Sequence, residues 1–594
     1  MCGIVGQINK SKKINQKNFQ KMVDSLKHRG PDGEGVYVST DGTRAIGHRR
    51  LSFLDLSDSG KQPMSNSMQT VWVSFNGEIY NYIELKEELS SDYEFVTGTD
   101  TEVILAAYQA WGIEFVNRLQ GMFAIALLDE SKNQLHLIRD RFGIKPLYYG
   151  IQNESLVFAS ELKAILVSNC FDKQLNKSAV SDYFVYRYIP SPKTIWQGIN
   201  KLPPAHYVTI DLLNFEAKIL EYWKLPKSEE KVELNSLVQE VETLLKNSVH
   251  QHARADVPIG SFLSGGYDSS ALALWMKDQG NPPKTFSIGF DNWEKSEHHF
   301  AKVVADHLGL ENEKVVATSE SLDLVNKMAV VYDEPIADIS IVPTYMVSAL
   351  AKKEVKTVFS GEGADEIFGG YTWQHDFFNK VYNRSLLQKV KNIFKPKDSV
   401  DFYAHSMAMG WFDSQELRQL LHPNLHESIP KDVHWFYRAN FRKDLSPFKA
   451  IQHMDIKCFM GELVLTKVDR ASMANSLEVR VPFLDHQLFE KIFSIQESNY
   501  IDQDQTKKVL FETLKGKLPK EILERKKQGF VGPDSYYMDI NYYRKNLENS
   551  NLVKHDIVRK EYIDRLLKED YNWKLWKILI FEKWFTYWVV NCKN

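Results

Sequence analysis

Two rhythms of hydrophobic residues divide this chain, and the change from one to the other dictates two folded units. Over the first two hundred residues, short β-like segments such as Val71–Phe75, Phe123–Leu128, Leu135–Ile138 and Leu156–Ala159 end at Gly, Asn or Asp turns. Helical periodicity falls between them, over Tyr82–Leu89 and Thr101–Trp111. That mixture predicts stacked antiparallel sheets with helices, an α+β domain. Further on, β and α segments alternate. Pro258–Leu263, Thr285–Gly289 and Val355–Ser360 read as strands, and Ser269–Lys277 and Ser296–Leu308 as helices. Alternation predicts an α/β domain, a parallel sheet wrapped by helices, with a mostly helical part from about Asp376. Ile189-Pro190-Ser191-Pro192 and Leu202-Pro203-Pro204 punctuate the transition, and the polar stretch Lys224–Lys231 marks the joint. The expected domains are 2–215 and 235–594. A chain of 594 residues is also too long for one hydrophobic core.

Composition narrows the functional classes. With 74 basic and 77 acidic residues the net charge is -3, which gives no global attraction to nucleic acid or an anionic membrane. Cys2, Cys170, Cys458 and Cys592 lack metal-ligand spacing, so no disulfide framework is expected and a reducing cytoplasm fits. No signal peptide is expected at the start. The most apolar run, Trp573–Val590, is interrupted by Lys574, Lys577, Glu582 and Lys583, while Trp576, Ile580, Trp584 and Trp588 recur at helical spacing. It predicts a buried amphipathic helix, not a membrane span.

Cys2 directly follows the initiator methionine. Removal of Met1 would place an α-amine, with a reference pKa near ~8, beside the thiol, so one residue would carry both nucleophile and base. Taken alone, Cys2 reads more readily as a small buried thiol. Its company argues for chemistry: His28-Arg29-Gly30-Pro31-Asp32, His48-Arg49-Arg50-Leu51-Ser52, Phe75-Asn76-Gly77-Glu78-Ile79-Tyr80-Asn81 and Gly98-Thr99-Asp100-Thr101-Glu102 are polar clusters at turns or strand ends. Asn76 and the Gly77 N–H are suitable donors for a tetrahedral oxyanion. Arg50 and Asp100 suit the carboxylate and ammonium of a zwitterion.

In the second unit, Ser264-Gly265-Gly266-Tyr267-Asp268-Ser269-Ser270 stands where a strand hands over to a helix. Glycines admit close approach of phosphates, and the helix start offers free N–H groups. Asp268 would repel bare phosphate and so implies a bridging cation. The Gly-Lys-Ser/Thr ending of a Walker loop is missing. Ser360-Gly361-Glu362-Gly363-Ala364-Asp365-Glu366 follows another apolar strand, and its carboxylates could hold Mg²⁺ and orient an acceptor. Lys467-Val468-Asp469-Arg470 and Arg480–Asp485 form a third cluster, whose cations could neutralise a leaving pyrophosphate; a solvated helix face is the alternative for Lys467 and Arg470.

Met-Cys-Gly-Ile at the start, with the Arg-Gly-Pro-Asp, Arg-Leu-Ser and Asn-Gly-Glu-Ile-Tyr-Asn motifs, resembles the class II glutamine amidotransferases, which have the Ntn-hydrolase type of fold. By that resemblance Cys2 would attack the glutamine side-chain amide through a thioester. Asn76 and Gly77 would form the oxyanion hole, and Arg50, Asn76, Glu78 and Asp100 would hold glutamine. Arg139–Pro146 and Ala159–Lys163 also match, as structural or interdomain segments. The second unit is similar to the ATP-pyrophosphatase domain of the asparagine synthetase family, also through Thr285–Phe290, Ser296–His299 and Asp333-Glu334-Pro335. That similarity implies adenine contacts from Leu263 and Ile288, pyrophosphate contacts from Ser264, Gly265, Gly266, Asp268, Ser269, Ser360 and Gly361, and Mg²⁺ near Asp268 and Asp365. Glu362 would accept a proton from attacking ammonia, and Lys467 or Arg470 would stabilise the adenylation step.

Tyr267 stands where the family usually has leucine, and Arg470 where some members have lysine. The resemblance further implies aspartate as acceptor, an internal passage for ammonia and a homodimer, with no nucleic-acid or membrane partner. A uronic acid or a cell-wall diaminopimelate remains an alternative acceptor, since Lys527–Asp534 has no matched counterpart. β-Lactam synthetase shares the architecture without needing glutamine hydrolysis. A non-catalytic sensor is the remaining reading.

Overall fold

The computed structural model describes residues 2–227, 230–382, 396–525, 528–530, 532–569 and 571–591. Ser228 and Glu229 of the polar stretch, Lys527 and Val531 of the loop Lys527–Asp534, and Cys592 lie outside the described residues.

The first half contributes β1 (Gly3–Asn9), β2 (Gly33–Val38), β3 (Arg44–Arg50), β4 (Met64–Ser65), β5 (Val71–Ile79), β6 (Gly121–Asp129), β7 (Gln134–Arg139), β8 (Tyr148–Gln152), β9 (Ser155–Ala159), β10 (Ile199–Lys201), β11 (His206–Asp211) and β12 (Ala217–Glu221). Among the described residues they form two six-stranded antiparallel sheets, ordered β10-β8-β9-β1-β3-β2 and β12-β11-β7-β6-β5-β4. The period of two explains why the sheets stack. In β6, Ala124, Ala126 and Leu128 join Ile4, Ile8 and Ile46 of the other sheet in one core. Phe123, Ile125 and Leu127 pack instead with Leu85, Ile104 and Leu105 of the covering helices Tyr82–Leu89 and Asp100–Trp111. The opposite face of β1 carries Val5 against Phe19 and Met22 of the helix Gln16–Asp24. The layers therefore run helix, sheet, sheet, helix, the expected α+β arrangement.

The second half adds β13 (Ile259–Phe262), β14 (Thr285–Phe290), β15 (Asn312–Ala317), β16 (Thr357–Phe359) and β17 (Glu478–Arg480), all parallel, in the order β15-β14-β13-β16-β17. Of these, β13, β14 and β16 lie close to the predicted strands, and β15 was not anticipated. β17 is an addition, because three residues inside a helical region carry too little periodicity to be read as a strand. The chain builds outward from β13 through β14 and β15, then returns to place β16 on its other side. Loops leaving β13 and β16 thus diverge, which opens a crevice at the carboxyl ends of the strands.

The carboxy-terminal helix Trp573–Phe585 corrects one expectation. It is buried all round and not amphipathic: Leu575, Trp576, Ile578, Leu579, Phe581 and Trp584 are inaccessible, as are Lys577 and Glu582. Two of the four charges that suggested a polar face are satisfied internally. Lys577 Nζ donates to Phe184 O (2.6 Å) and Gly410 O (2.9 Å), and Glu582 accepts from Ser550 Oγ (2.6 Å) and Asn551 N (2.9 Å). No described helix is long and apolar enough to cross a membrane.

The two halves share one core. Phe142 packs 4.6 Å from Phe489 and 5.2 Å from Trp223, Tyr183 Oη donates to Lys577 O at 2.7 Å, and Tyr186 Oη to Val433 O at 2.7 Å. Length demanded more than one sheet system, yet the apolar interior is continuous across the joint.

Candidate active sites

Cys2 enters β1 at the edge where the two sheets of the first half meet. Its backbone N–H donates to Asn76 Oδ1 at 3.0 Å, and its thiol lies 4.0 Å from Leu51 O. Asn76 belongs to β5, so the thiol and the amide come from different sheets. Two contacts fix the sheets there: His48 Nε2 meets Phe75 O at 3.0 Å, and Ser74 Oγ donates to Gly47 O at 3.1 Å. Burial lowers the His48 pKa to about 3, so this imidazole is a neutral tie. The Nδ2 of Asn76 is buried without a partner, a donor left over beside the sulfur. Gly77 is required by proximity, because a Cβ would stand 2.0 Å from Met122 O on β6. Burial raises the Cys2 thiol pKa, which favours the neutral thiol until a base acts.

The other predicted glutamine-site residues gather around this edge. Arg50 ends β3 and donates to Ser57 O (2.8 Å) and Leu54 O (3.1 Å) of the following loop. Asp100 starts the helix Asp100–Trp111 and accepts from Ile79 N at 2.9 Å; burial raises its pKa to about 7. Glu78 is buried, its carboxyl pushed well above the usual range by burial, and lies 3.3 Å from Arg480 Nη2.

Arg480 does not join the phosphate-side cluster proposed for it. It sits in β17, donates to Glu478 Oε1 (2.6 Å), His252 O (2.6 Å) and Arg254 O (2.8 Å), and faces the first half. Arg470 is a second correction. Its guanidinium is buried between Asp333, with which it pairs directly, and Glu161 Oε1 at 3.0 Å. Those two carboxylates hold it at the joint, and it does not line the crevice.

A third arginine completes the joint. Arg29 Nε donates to the Cys2 carbonyl at 3.0 Å, while Nη1 and Nη2 fork onto Asp469 Oδ2 and Oδ1 at 2.9 and 3.0 Å. Nη1 also reaches Glu161 Oε1 at 2.9 Å. The backbone of Cys2 is therefore tied to the helix Leu465–Met473 of the other half. Ala159–Lys163 does face the other half as expected, with Lys163 N donating to Asp333 Oδ2 at 3.1 Å.

The crevice holds about 590 Å³ and is lined from both of its loops. After β13 come Leu263, Ser264, Asp268 and Ser269; after β16 come Ser360, Gly361, Glu362 and Asp365; Ile288 and Lys467 add further wall. Gly266 caps the helix Tyr267–Asp278, and its N–H donates to Ser264 Oγ at 3.2 Å. Gly265 adopts φ +73°, and a Cβ there would meet Phe300 Cβ at 2.5 Å. Gly361 brings the two loops together, since its Cβ would lie 2.9 Å from Asp268 Cβ. Tyr267 turns out of the crevice, its hydroxyl donating to Leu523 O and its ring 6.1 Å from Phe511.

Between Asp268 and Asp365 stands Lys507, a residue the sequence reading missed. Its Nζ is 2.6 Å from Asp268 Oδ1 and 2.7 Å from Asp365 Oδ1, in a nearly inaccessible position. Lysines at helix starts are common, and nothing in Thr506-Lys507-Lys508 marks this one. Among the described residues no three His, Cys, Asp or Glu side chains converge on a metal site. Mg²⁺ commonly takes only one or two carboxylates and completes its shell with phosphate oxygens and water, so the Asp268–Asp365 pair fits a phosphate-borne ion. Glu362 Oε2 is buried without a hydrogen-bond partner, at the mouth of the same loop.

The Asparagine synthase family profile matches residues 240–586, and the Glutamine amidotransferase domain profile matches residues 1–223. The chain is 35% identical to asparagine synthetase [glutamine-hydrolyzing] 1 of Bacillus subtilis, over 99% of this chain and 96% of that protein. It is 29% identical to asparagine synthetase [glutamine-hydrolyzing] 3 of the same organism, over 96% and 94% of the two chains. The amidase chry2 of Gibberella zeae is 27% identical over 87% and 85%.

Proposed function

The chain belongs to the asparagine synthase family, and from that premise we propose that it makes asparagine from aspartate, with glutamine as nitrogen source and ATP as activator. Glutamine-dependent amidation by a ligase follows from the two matched domains; aspartate as acceptor and the residue roles are our reading.

Once Met1 is removed, the nitrogen of Cys2 is an α-amine held at Asn76 Oδ1. It takes the thiol proton, and the sulfur attacks the side-chain carbonyl carbon of glutamine. Asn76 Nδ2 and the Gly77 N–H bind the oxyanion. The C–N bond breaks, the proton leaves with the nitrogen as ammonia, and water then cleaves the thioester to glutamate. Arg50 pairs with the glutamine α-carboxylate, and Glu78 and Asp100 with its ammonium.

In the crevice, Leu263 and Ile288 hold adenine, while Ser264, Gly265, Gly266, Ser269, Ser360 and Gly361 bind the phosphates. A carboxylate oxygen of aspartate attacks the α-phosphorus, and the bond to the β-phosphate oxygen breaks to expel pyrophosphate. Lys507 and Lys467 offset the charge on the leaving group. Mg²⁺ held at Asp268 and Asp365 would neutralise the phosphates. Ammonia, arriving through the protein interior, attacks the acyl carbon, gives a proton to Glu362 and displaces AMP.

One observation carries this reading: two glycine-containing loops diverge at the sheet's switch point and gather Asp268 and Asp365 on a single ammonium. That is a receptor for a polyphosphate with its cation. The test measures AMP and pyrophosphate from the purified protein with glutamine, ATP, Mg²⁺ and aspartate, glucuronate or diaminopimelate. Release in step with asparagine is expected with aspartate. Faster release with another acid would replace aspartate, and none with any acid would remove adenylation. We further propose a cytoplasmic homodimer, which a native mass of two chains in solution would support.

A further inference from the structure

Arg187 belongs to the first half of the chain yet lines the crevice of the second. It closes the helix Lys177–Tyr186 in a left-handed conformation, φ 72°, with its N–H on Tyr183 O. That turn sends the side chain into a wall shared with Asp338, Ser340, Tyr371, Met409, Phe459 and Lys467. Its guanidinium reaches only Met409 Sδ, at 3.8 Å, and the ring of Phe459, at 5.9 Å. Nε is buried without a partner, and although the guanidinium's charge helps Lys467 to hold the Asp338 carboxyl below the usual range, no ion pair to Arg187 forms among the described residues. Arginine is rarely drawn inward without a hydrogen-bonded carboxylate, which its planar fork matches.

The neighbouring charges define what kind of carboxylate. Asp338 is buried, held by Ser340 N at 2.8 Å and only loosely by Lys467 Nζ at 3.9 Å; Lys467 Nζ donates to Ser340 Oγ at 2.8 Å. This end of the crevice thus offers two cations and one anion around open volume. A sugar acid brings a single carboxylate, which adenylation consumes, and would leave the Arg187 guanidinium desolvated and unanswered.

We propose that Arg187 binds a second, non-reacting carboxylate of the acceptor and Asp338 its ammonium, so that the site selects α-amino dicarboxylates. This rests on the adenylation reading above. It makes the acceptor site composite, with its specificity residue supplied by the half that releases ammonia.

The experiment uses the full-length enzyme, with ammonium as nitrogen donor and pyrophosphate as readout. Aspartate is compared with β-alanine, which lacks the second carboxylate, and with succinate, which lacks the ammonium. Wild type should prefer aspartate over β-alanine by about 10²-fold or more in kcat/KM, as expected when a buried polar group loses its partner. Arg187→Gln should raise the aspartate KM by about 10- to 100-fold, leave the ATP KM within about twofold, and collapse the aspartate to β-alanine ratio toward one. Arg187→Lys should recover part of that ratio. A ratio unchanged in Arg187→Gln, or equal losses with both acceptors, would overturn the assignment while leaving adenylation standing. No pyrophosphate from wild type with any acid would overturn both.

Discussion

Around Cys2 most polar groups already have a protein partner, whereas in the crevice beyond β13 and β16 the charges face open volume. The first site is assembled from strand ends, with His48 and Ser74 fixing two sheets, and leaves Asn76 Nδ2 as a spare donor. The second is assembled from loops, and stores its charge as pairs such as Lys507 with Asp268 and Asp365. A small neutral amide needs a rigid, narrow setting with one oxyanion to hold. A polyphosphate needs many contacts and charges that can exchange partners when it arrives. The contrast shows how one chain prepares for two unlike substrates.

Several substitutions would break or sharpen that contrast. The largest effect is expected from Cys2→Ala: glutamine-driven synthesis should fall by on the order of 10⁴-fold or more, while ammonium-driven synthesis stays within about twofold. Equal losses in the two assays would mean that the sites are not separable. Lys507→Met should next cut pyrophosphate release by about 10²- to 10³-fold, because the Asp268–Asp365 pair and the leaving phosphate lose a shared cation. A wild-type rate in that variant would leave Lys507 as a structural strut.

A smaller effect concerns pH. Asp100 must be ionised to pair with an ammonium, and burial raises its pKa to about 7. Its charge is therefore lost as pH falls through 7. The glutamine KM should rise about tenfold from pH 8 to pH 6, and Asp100→Asn should give a high KM that no longer varies with pH. Persistence of the same slope in Asp100→Asn would assign it to another group. The smallest effect is expected from Tyr267→Leu, which removes one hydrogen bond to Leu523 O outside the crevice. It should cost about 1 kcal/mol of stability in denaturant titrations and leave pyrophosphate release unchanged.

Local rules made much of this readable from sequence. Short turn-bounded segments announced stacked sheets in the first half, although β5, β6 and β7 of one sheet were read and only β9 of the other, and Leu263–Ser269 fell at a strand-to-helix junction because glycine and serine are what that geometry needs. The crevice's two loops were legible for the same reason. What escaped was decided by tertiary placement. Arg470 and Lys467 lie three residues apart on one helix, yet one is captured by Asp333 and Glu161 at the joint and the other lines the crevice. Lys507 and Arg187 are distant in sequence from the phosphate-side motifs, and only packing brings Arg187 to the crevice wall and Lys507 between Asp268 and Asp365. The interruption of Trp573–Phe585 by charge misled because Lys577 and Glu582 find partners indoors.

The fork of Arg29 onto Asp469 bears on how interchangeable such halves are. An amidotransferase unit transplanted from another protein would arrive with its own guanidinium pointing at a foreign helix. Without an aspartate waiting there, the guanidinium would keep only Glu161 of its own half as counter-charge and leave Nη2 dry and unanswered, at a cost of about 1–3 kcal/mol. Recombination between relatives should therefore succeed only where residues 29 and 469 are inherited as a pair.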